Sequence, residues 1–391
     1  MSTKALIDQH WEQIVADHRW LHAHPELSGK EEKTAAYIAE SLKKMGLEVQ
    51  ENVGGHGVVV LIEGSKPGKC VALRADFDAL PVTECTGLPY ASENPGVMHA
   101  CGHDVHTAML LGAARVLCNM RDAFSGSVKL IFQPAEEKGG GAQQMIEDGV
   151  LQDPPVEAIF AQHLGAMTPT GSIVYRNGAM MGASDGFTIT VHGKGAHAST
   201  PERGVDAIAI SAQVISALQN IVSRSISPFA NVVMGIGTIS GGTAHNIVAE
   251  TVEMNGTCRN VDLQLREELP KRMEAIIKAI TESMGGGYSF QYRKGYPPVI
   301  NDEKMCDIVR AAAAEIIEEE RITPQKNPSL GAEDFAYYAE RVPGAIFILG
   351  CKKEGTDAFP LHSGRFAPDE ECMRTGVYIM ASSAIRFLNG N

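Results

Sequence analysis

The stretch from residue 99 to residue 106 (HACGHDVH) carries three imidazoles, one thiol and one carboxylate. Cys101 and His103 are separated by one residue, so on an extended segment both side chains can point to the same side. Thiolate sulfur and imidazole nitrogen are good ligands for zinc and related divalent ions. The same pattern fits an ordinary helix start, with Asp104 as the cap and an inert buried cysteine before it. The stretch alone leaves both interpretations open.

Two further groups of ligand-type side chains follow apolar runs that are typical of strands. Glu136 and Glu137 come after the run 128–132, and His163 follows the run 158–161. Adjacent carboxylates diverge in direction, so one can bind a metal while its neighbour acts as a general base toward water. The alternatives are a polar turn with two solvated acids and an ordinary core or surface histidine. Three such groups, two of them at strand ends, make coincidence less plausible and favour a metal centre.

The elements around these groups alternate between strand and helix. Residues 28–46 predict a helix, with Ser28 and Glu31 fitting a capping box and Gly46 fitting the position after its end. Further helices are predicted near 104–118 and 140–148, and strands at 58–62, 71–73, 128–132 and 158–161. This order indicates an α/β domain with a mostly parallel sheet and helices on both faces. In such sheets, ligands bind beyond the carboxyl ends of the strands.

The pattern changes near residue 185. Phe187, Ile189 and Val191 alternate with polar residues, which indicates a half-exposed strand. The following elements complete the order β-α-β-β-α-β of a ferredoxin-like α+β domain. After this ferredoxin-like segment, helix and strand signals like those of the first domain return. We therefore expect a catalytic domain built from residues 1–183 and 295–391, interrupted by an inserted domain at 184–294.

The composition excludes several classes of protein. The 391 residues include 34 Lys and Arg against 47 Asp and Glu, a net charge of −13 that argues against a nucleic-acid surface. No apolar run approaches the roughly 20 residues that cross a bilayer, so no membrane partner is expected. The first residues lack the apolar segment of a secretory signal, and the eight cysteines are scattered without a CxxC pair. A cytoplasmic protein with free thiols is the expectation.

Seven short motifs, in a fixed order along the chain, together resemble the metallopeptidase family M20. They are residues 22–28 (HAHPELS), 73–81 (LRADFDALP), 101–106 (CGHDVH), 134–137 (PAEE), 195–199 (GAHAS), 331–335 (GAEDF) and 361–363 (LHS). The chain is most similar to the amidohydrolase branch, which includes hippurate hydrolases, N-acyl-L-amino acid amidohydrolases and auxin-conjugate hydrolases. The resemblance implies a zinc-exopeptidase-like catalytic domain with an inserted lid or dimerisation domain.

The resemblance also implies a site with two divalent metal ions, Mn, Zn, Co or Ni. Its ligands would be Cys101, His103, Glu137, His163 and His362, and Glu136 would be the general base and acid. Only the resemblance to the family identifies His362 as a ligand, because residues 361–363 by themselves look like an ordinary loop tripeptide. Peptidase branches carry His-x-Asp where this chain has Asp76-Phe77-Asp78. We therefore leave Asp76 and Asp78 out of the ligand set and expect them to support it.

Three residues of the inserted domain are expected to contact the substrate. The resemblance implies that His197 reaches the substrate carbonyl in a neighbouring subunit of a homodimer, and that Asn246 and Arg259 hold the substrate carboxylate. The implied reaction is hydrolysis of an N-acyl amino acid, a small molecule, to a carboxylate and a free amino acid. The alternatives are a dipeptidase or aminoacylase of the same superfamily, a non-catalytic binding protein, and a thiol redox role for Cys101, which the absence of a nearby partner cysteine disfavours.

Overall fold

The structure of the protein is a computed structural model that describes residues 1–390. Its α-helices are α1 (Thr3–Ala23), α2 (Glu32–Lys44), α3 (His103–Cys118), α4 (Gly141–Glu147), α5 (Ala207–Arg224), α6 (Leu263–Ser283), α7 (Glu303–Ala313), α8 (Ala336–Ala339) and α9 (Cys372–Asn389). Its first strands are β1 (Val49–Val53), β2 (Gly57–Glu63), β3 (Cys70–Asp76), β4 (Ser127–Gln133), β5 (Ala158–Pro169), β6 (Ile173–Tyr175) and β7 (Gly178–Met181). The others are β8 (Ala183–His192), β9 (Val232–Gly241), β10 (Thr251–Asn260), β11 (Gly287–Arg293), β12 (Val299–Asn301), β13 (Ile322–Pro324) and β14 (Gly344–Lys352). Among these residues no helix combines the length and apolar character that a membrane crossing requires.

The chain divides into two compact units. Unit 1 comprises Met1–Gly178, Ile300–Asn327 and the chain from Asp334 onward. Unit 2 comprises Ala179–Val299 and Pro328–Glu333. Each unit has a sheet and a hydrophobic core of its own.

Unit 1 contains an eight-stranded sheet in the order β1-β2-β4-β3-β5-β14-β6-β13. Its central pairings, β4 with β3, β3 with β5 and β5 with β14, are parallel. Every residue of β3 and β4 is buried, as expected for parallel strands covered on both faces. The predicted α/β architecture with a large, mostly parallel sheet is confirmed.

Helix α3 lies in the interior of unit 1. It packs against α1, α9 and β3, and its apolar sequence leaves almost no exposed side chain. A helix that is hydrophobic all round is stable only when it is buried on all sides. Because α3 begins at His103, this packing fixes the position of the predicted ligands at its start.

Two local predictions, and the alternative interpretation of Asp104 as a cap, were wrong. Strand β5 continues to Pro169, so His163 lies inside the strand rather than after its end. Ser28 does not cap α2, because its hydroxyl donates to Asp78 Oδ2 at 2.6 Å. Asp104 does not cap α3, which begins after the left-handed residue Gly102.

Unit 2 contains a four-stranded antiparallel sheet in the order β11-β8-β10-β9. The helices α5 and α6 pack against each other, and their buried apolar residues form one core with the sheet. Phe187, Ile189 and Val191 are fully buried and alternate with more exposed residues, as the pattern in β8 predicts. Strand β9 lies at an edge of this sheet.

Candidate metal centre

Cys101 and His103 flank a glycine turn at the start of α3. Gly102 has φ +86°, and a Cβ atom there would lie 2.5 Å from Leu164 Cδ1. Glycine alone adopts this conformation without strain and also leaves room for Leu164. The turn brings Cys101 Sγ within 3.4 Å of His163 Nε2. One ligand atom each from Cys101, His103 and His163 lie within 4.8 Å of one another. We call these three residues the first ligand group.

Asp78 orients His103 and the chain at Glu137. His103 Nδ1 donates to the Asp78 carbonyl oxygen at 2.9 Å and lies 3.2 Å from its Oδ1. The other carboxylate oxygen accepts the Glu137 N–H at 3.0 Å. Since Nδ1 donates, the neutral ring would present the Nε2 lone pair; this buried atom makes no hydrogen bond within residues 1–390 and lies 3.7 Å from Asp76 Oδ2. Burial opposes the charged ring, but the Asp76 and Cys101 anions outweigh it and raise the pKa of His103, so a cation bound at Nε2 would displace a proton. A buried nitrogen that is oriented but makes no hydrogen bond fits a ligand atom.

The backbone of Leu164 and the side chain of His106 surround His163. His163 Nδ1 donates to the Leu164 carbonyl at 2.9 Å, which turns Nε2 toward Cys101. The Leu164 N–H donates to His106 Nε2 at 2.9 Å. His106 must therefore carry its proton on Nδ1, which donates to Asp76 Oδ1 at 2.6 Å. Burial lowers the pKa of His106 to about 4, consistent with a neutral ring.

The two adjacent glutamates lie just beyond the end of β4 and face different partners. Glu136 is buried, and its Oε1 accepts the Asp334 N–H at 3.3 Å. Glu137 Oε1 lies 3.1 Å from His362 Nε2. Ala135, with φ +55°, turns the chain before them and donates its N–H to Glu31 Oε1 at 2.9 Å. The divergence expected from adjacent residues is therefore present.

His362 reaches the cluster from the loop between β14 and α9. Its backbone has φ +65°, and its N–H donates to the Ala100 carbonyl at 2.8 Å. This bond places the half-exposed imidazole beside the Cys101 turn. Cys101, Glu137 and His362 offer ligand atoms within 4.8 Å of one another. We call these three residues the second ligand group. Cys101 belongs to both groups.

The electrostatics of the cluster favour anionic ligands. Burial raises the pKa of the Cys101 thiol, but the imidazoles of His163 and His103 outweigh it and lower the pKa to about 6. Hydrogen bonds with Cys101 and Glu137 raise the pKa of His362 to about 10. Burial likewise raises the pKa of Glu137, and the His362 hydrogen bond outweighs it and lowers that pKa below its ordinary value. A divalent cation can replace the protons that this thiolate and carboxylate now share with imidazoles.

The donor set of the two groups fits a pair of divalent transition-metal ions. It offers one thiolate, three imidazoles and one carboxylate, a mixture suited to zinc, manganese, cobalt or nickel. The five sequence-predicted ligand residues thus lie together in unit 1. Binding of cations to them stays a prediction.

A separate buried cluster lies beside the start of α3. Asp104 Oδ2 lies 2.7 Å from His22 Nδ1 and 3.2 Å from His18 Nε2. The outer nitrogens of these imidazoles contact Glu84 and Glu370 at 3.2 and 3.0 Å. Sequence reasoning missed this cluster, although His18 and His22 stand one helical turn apart. Its contacts fix α1 to the first turn of α3.

The predicted substrate-binding residues lie in unit 2. His197 is exposed, and its Nδ1 accepts the N–H of Ser199 at 3.1 Å and contacts the Ser199 hydroxyl at 2.7 Å. The Asn246 carbonyl accepts the Ala198 N–H at 3.0 Å, so the His197 and Asn246 segments are neighbours. Arg259 lies on β10, where its guanidinium donates to the Cys258 carbonyl at 3.1 Å and also bonds to Thr257.

Comparisons with known proteins identify relatives along the whole chain. Residues 72–386 match the model of peptidase family M20/M25/M40. An N-acyl-L-amino acid amidohydrolase of Geobacillus stearothermophilus is 44% identical over 299 residues, covering 76% of this chain and 80% of the relative. An N-acetyl-L-cysteine deacetylase of Bacillus subtilis is 39% identical over 379 residues, covering 97% and 89%.

A solved structure gives the same result. The YXEP protein of Bacillus subtilis, described as a dinuclear metal binding peptidase from the M20 family, superposes with a TM-score of 0.85. It is 34% identical, and the match covers 97% of this chain and 98% of that one. The chain therefore belongs to peptidase family M20/M25/M40 and is a hydrolase that acts on carbon–nitrogen bonds.

Proposed function

We propose that the protein is a metal-dependent amidohydrolase that cleaves N-acyl amino acids. One water molecule is consumed, the bond between the acyl carbon and the amino nitrogen breaks, and a carboxylate and a free amino acid leave. The observation that carries this proposal is the convergence of Cys101, His103, Glu137, His163 and His362 beside the buried Glu136. Relatives named as an amidohydrolase and a deacetylase of N-acylated amino acids support the substrate class.

We further propose that the two ligand groups, which share Cys101, would hold two divalent cations. The dinuclear character described for the YXEP protein supports this number. When bound, such ions polarise the scissile carbonyl and make water a better nucleophile near neutral pH. Manganese, zinc, cobalt and nickel all accept the sulfur, nitrogen and oxygen donors present.

Glu136 is proposed to move the proton. Its carboxylate takes a proton from the attacking water and delivers it to the departing nitrogen, which would otherwise leave as an unstable amide anion. The Asp334 N–H holds Oε1 in place at 3.3 Å, and Glu137, the next residue in the chain, would hold a cation. General acid–base catalysis of this kind contributes about 10²- to 10⁴-fold to the rate.

Residues 184–294, which lie in unit 2, are proposed to act as a lid and dimerisation domain. In the neutral ring, His197 Nδ1 accepts the Ser199 N–H, so the proton resides on Nε2 and can be donated to a carbonyl oxygen. We propose that His197 donates this bond in the active site of a second subunit. Asn246 and Arg259 would then bind the substrate carboxylate, since a guanidinium pairs with carboxylates through two bonds.

The edge strand β9 supports the proposed homodimer. It carries exposed apolar side chains at Val233 and Ile239, which are 47% and 56% accessible. An unpaired edge of this kind can extend its sheet with the same strand of a second copy.

The reaction is tested with purified protein whose metal content is known. We expect turnover of N-acetyl or N-benzoyl amino acids, loss of turnover on chelation, and recovery when a divalent ion is restored. Glu136→Gln should lower kcat by about 10²- to 10⁴-fold with unchanged metal content. The matched control, Glu147→Gln on the exposed end of α4, should leave kcat unchanged.

Other results would identify the alternatives. Faster cleavage of dipeptides than of N-acyl amino acids would point to a dipeptidase. Substrate binding without turnover in the metal-loaded protein would indicate a binding protein of this fold.

Action of His197 across subunits is tested by mixing two inactive variants. His197→Ala and Glu136→Gln should each be inactive alone. A mixed dimer would contain one intact site, so random mixing should restore about a quarter of the wild-type activity. Absence of any recovery, with exchange of subunits verified, would contradict this arrangement.

A further inference from the structure

His106 and Asp76 have no assigned part in the proposed reaction, yet they lie next to the first ligand group. Both side chains are buried, at 1% and 0% exposure. His106 uses both ring nitrogens, one with the Leu164 N–H and one with the Asp76 carboxylate. A buried imidazole whose two nitrogens are both bound has one fixed orientation and one tautomer.

The Leu164 peptide needs such a partner. Strand β3 pairs with β5 only as far as Arg74 and Ala161, so Leu164 lies beyond the end of this ladder. A buried N–H without an acceptor is costly, and His106 Nε2 supplies the acceptor at 2.9 Å. The His106 imidazole therefore supplies the acceptor that the backbone of β3 would offer if this strand continued beyond Asp76.

The same residue, Leu164, orients His163. Its carbonyl accepts the His163 Nδ1–H at 2.9 Å, and this bond directs Nε2 toward Cys101 Sγ. Any rotation of the peptides around Leu164 would therefore turn the imidazole of His163. The rings of His106 and His163 are also in contact, with centroids 4.9 Å apart.

Asp76 is itself held rigidly. Its Oδ1 accepts the His106 bond, and its Oδ2 accepts Arg74 Nη1 at 2.9 Å. With both oxygens engaged, Asp76 fixes His106 rather than serving as a ligand. A continuous chain of contacts thus runs from Arg74 through Asp76, His106 and Leu164 to His163.

We propose that His106, oriented by Asp76, is a positioning residue that sets the cation affinity of the first ligand group through the Leu164 peptide. This inference rests on the proposed metal centre. Hydrogen bonds that orient metal-binding histidines typically change metal affinity by 10- to 100-fold. The second ligand group lacks His163, so the cation held there should be affected much less.

The test is a titration of metal-free protein with Co²⁺, read from its visible absorption and its thiolate charge-transfer band. His106→Phe keeps a planar ring but offers no acceptor to Leu164. We expect one of the two cations to bind roughly 10- to 100-fold more weakly and the other to bind as in the wild type. His106→Gln, which can offer an acceptor to the Leu164 N–H, should recover part of the affinity.

Thr107→Val is the matched control. Thr107 is the next residue of α3 and is buried, and its hydroxyl donates to the Asp76 carbonyl at 2.9 Å. This bond reaches the backbone of Asp76 and not the carboxylate that orients His106, so its loss should lower the unfolding temperature without changing either affinity. The unfolding temperature of each metal-free variant shows that the proteins being compared are folded.

The outcomes separate this inference from the proposed function. Wild-type protein that binds no Co²⁺ would overturn the metal centre itself. Wild-type protein that binds two ions, with a folded His106→Phe variant that binds both equally well, would overturn only the role of His106. Equal weakening in His106→Phe and Thr107→Val would also overturn it, because a general loss of structure would then explain the effect.

Discussion

Arg74 is expected to be the most sensitive charged residue for the stability of unit 1. Its Nη1 donates to Asp76 Oδ2 at 2.9 Å and its Nη2 donates to Asp334 Oδ1 at 2.8 Å. Its Nε donates to Gln133 Oε1 at 2.9 Å. All these side chains are buried, so water cannot replace the guanidinium if it is removed.

Replacement of Arg74 by Met keeps most of the volume and leaves two buried carboxylates without their cation. Removing one partner of a buried ion pair typically costs about 3–5 kcal/mol. For a unit of this size, that corresponds to a fall in unfolding temperature of roughly 6–20 °C. Arg321→Met is the matched control, because Arg321 pairs with Glu354 at 2.9 Å and is 42% exposed. An exposed pair contributes at most about 1 kcal/mol, so its loss should lower the unfolding temperature by no more than about 4 °C.

The measurement is thermal unfolding of the metal-free proteins, followed by circular dichroism. Adding Asp334→Asn to Arg74→Met should recover part of the loss, since one of the two carboxylates that lost the guanidinium is then uncharged. If Arg74→Met unfolds within the range of the Arg321→Met control, the argument from buried charge is wrong. If the double variant is less stable than Arg74→Met, the loss of packing and hydrogen bonding dominates instead.

Three further predictions concern the start of α3 and its surroundings. The Asp104 and Glu84 contacts outweigh burial and raise the pKa of His22 to about 10, so the stabilisation that protonated His22 provides is complete below pH 6.5 and is lost as the pH rises through about 10. The difference in unfolding temperature between metal-free wild type and His22→Gln should therefore shrink over that interval. A constant difference would contradict this prediction. Gly102→Ala should weaken Co²⁺ binding and lower the unfolding temperature far more than Gly87→Ala. Both residues have positive φ, but only at Gly102 would an added Cβ clash with Leu164. Equal effects would show that the backbone conformation alone matters. In metal-free protein with the exposed Cys85 replaced by Ser, alkylation of Cys101 by iodoacetamide should reach half its maximal rate near pH 6. Added Co²⁺ should protect Cys101 from alkylation. A rate that rises only near the ordinary pKa of a thiol would refute the predicted thiolate.

The sequence predicts the candidate ligands and the general base better than it predicts the residues that orient them. Short-range spacing and apolar runs are local, so Cys101, His103, Glu136 and Glu137 could be assigned to the ends of strands and the start of a helix. His362 has no such local signal, because its position depends on one backbone bond to Ala100. That bond joins distant parts of the chain.

The supporting residues were predicted incompletely for the same reason. Ser28 has the spacing of a capping box, yet its hydroxyl bonds to Asp78, which belongs to another element. Asp104 looks like a cap but pairs with two imidazoles of α1. The preference of a residue for a capping position is overridden where a buried carboxylate from a distant segment needs a partner.

The anchoring of His362 has a consequence for biosynthesis. Its imidazole joins Cys101 and Glu137 only after the ribosome has made the last segment of unit 1, which begins at Asp334. A nascent chain that still lacks this segment holds its thiol and its glutamates without their last imidazole. The second ligand group, which includes His362, would therefore be complete only after the C-terminal part of the chain has docked, and cation occupancy of that group would report this docking.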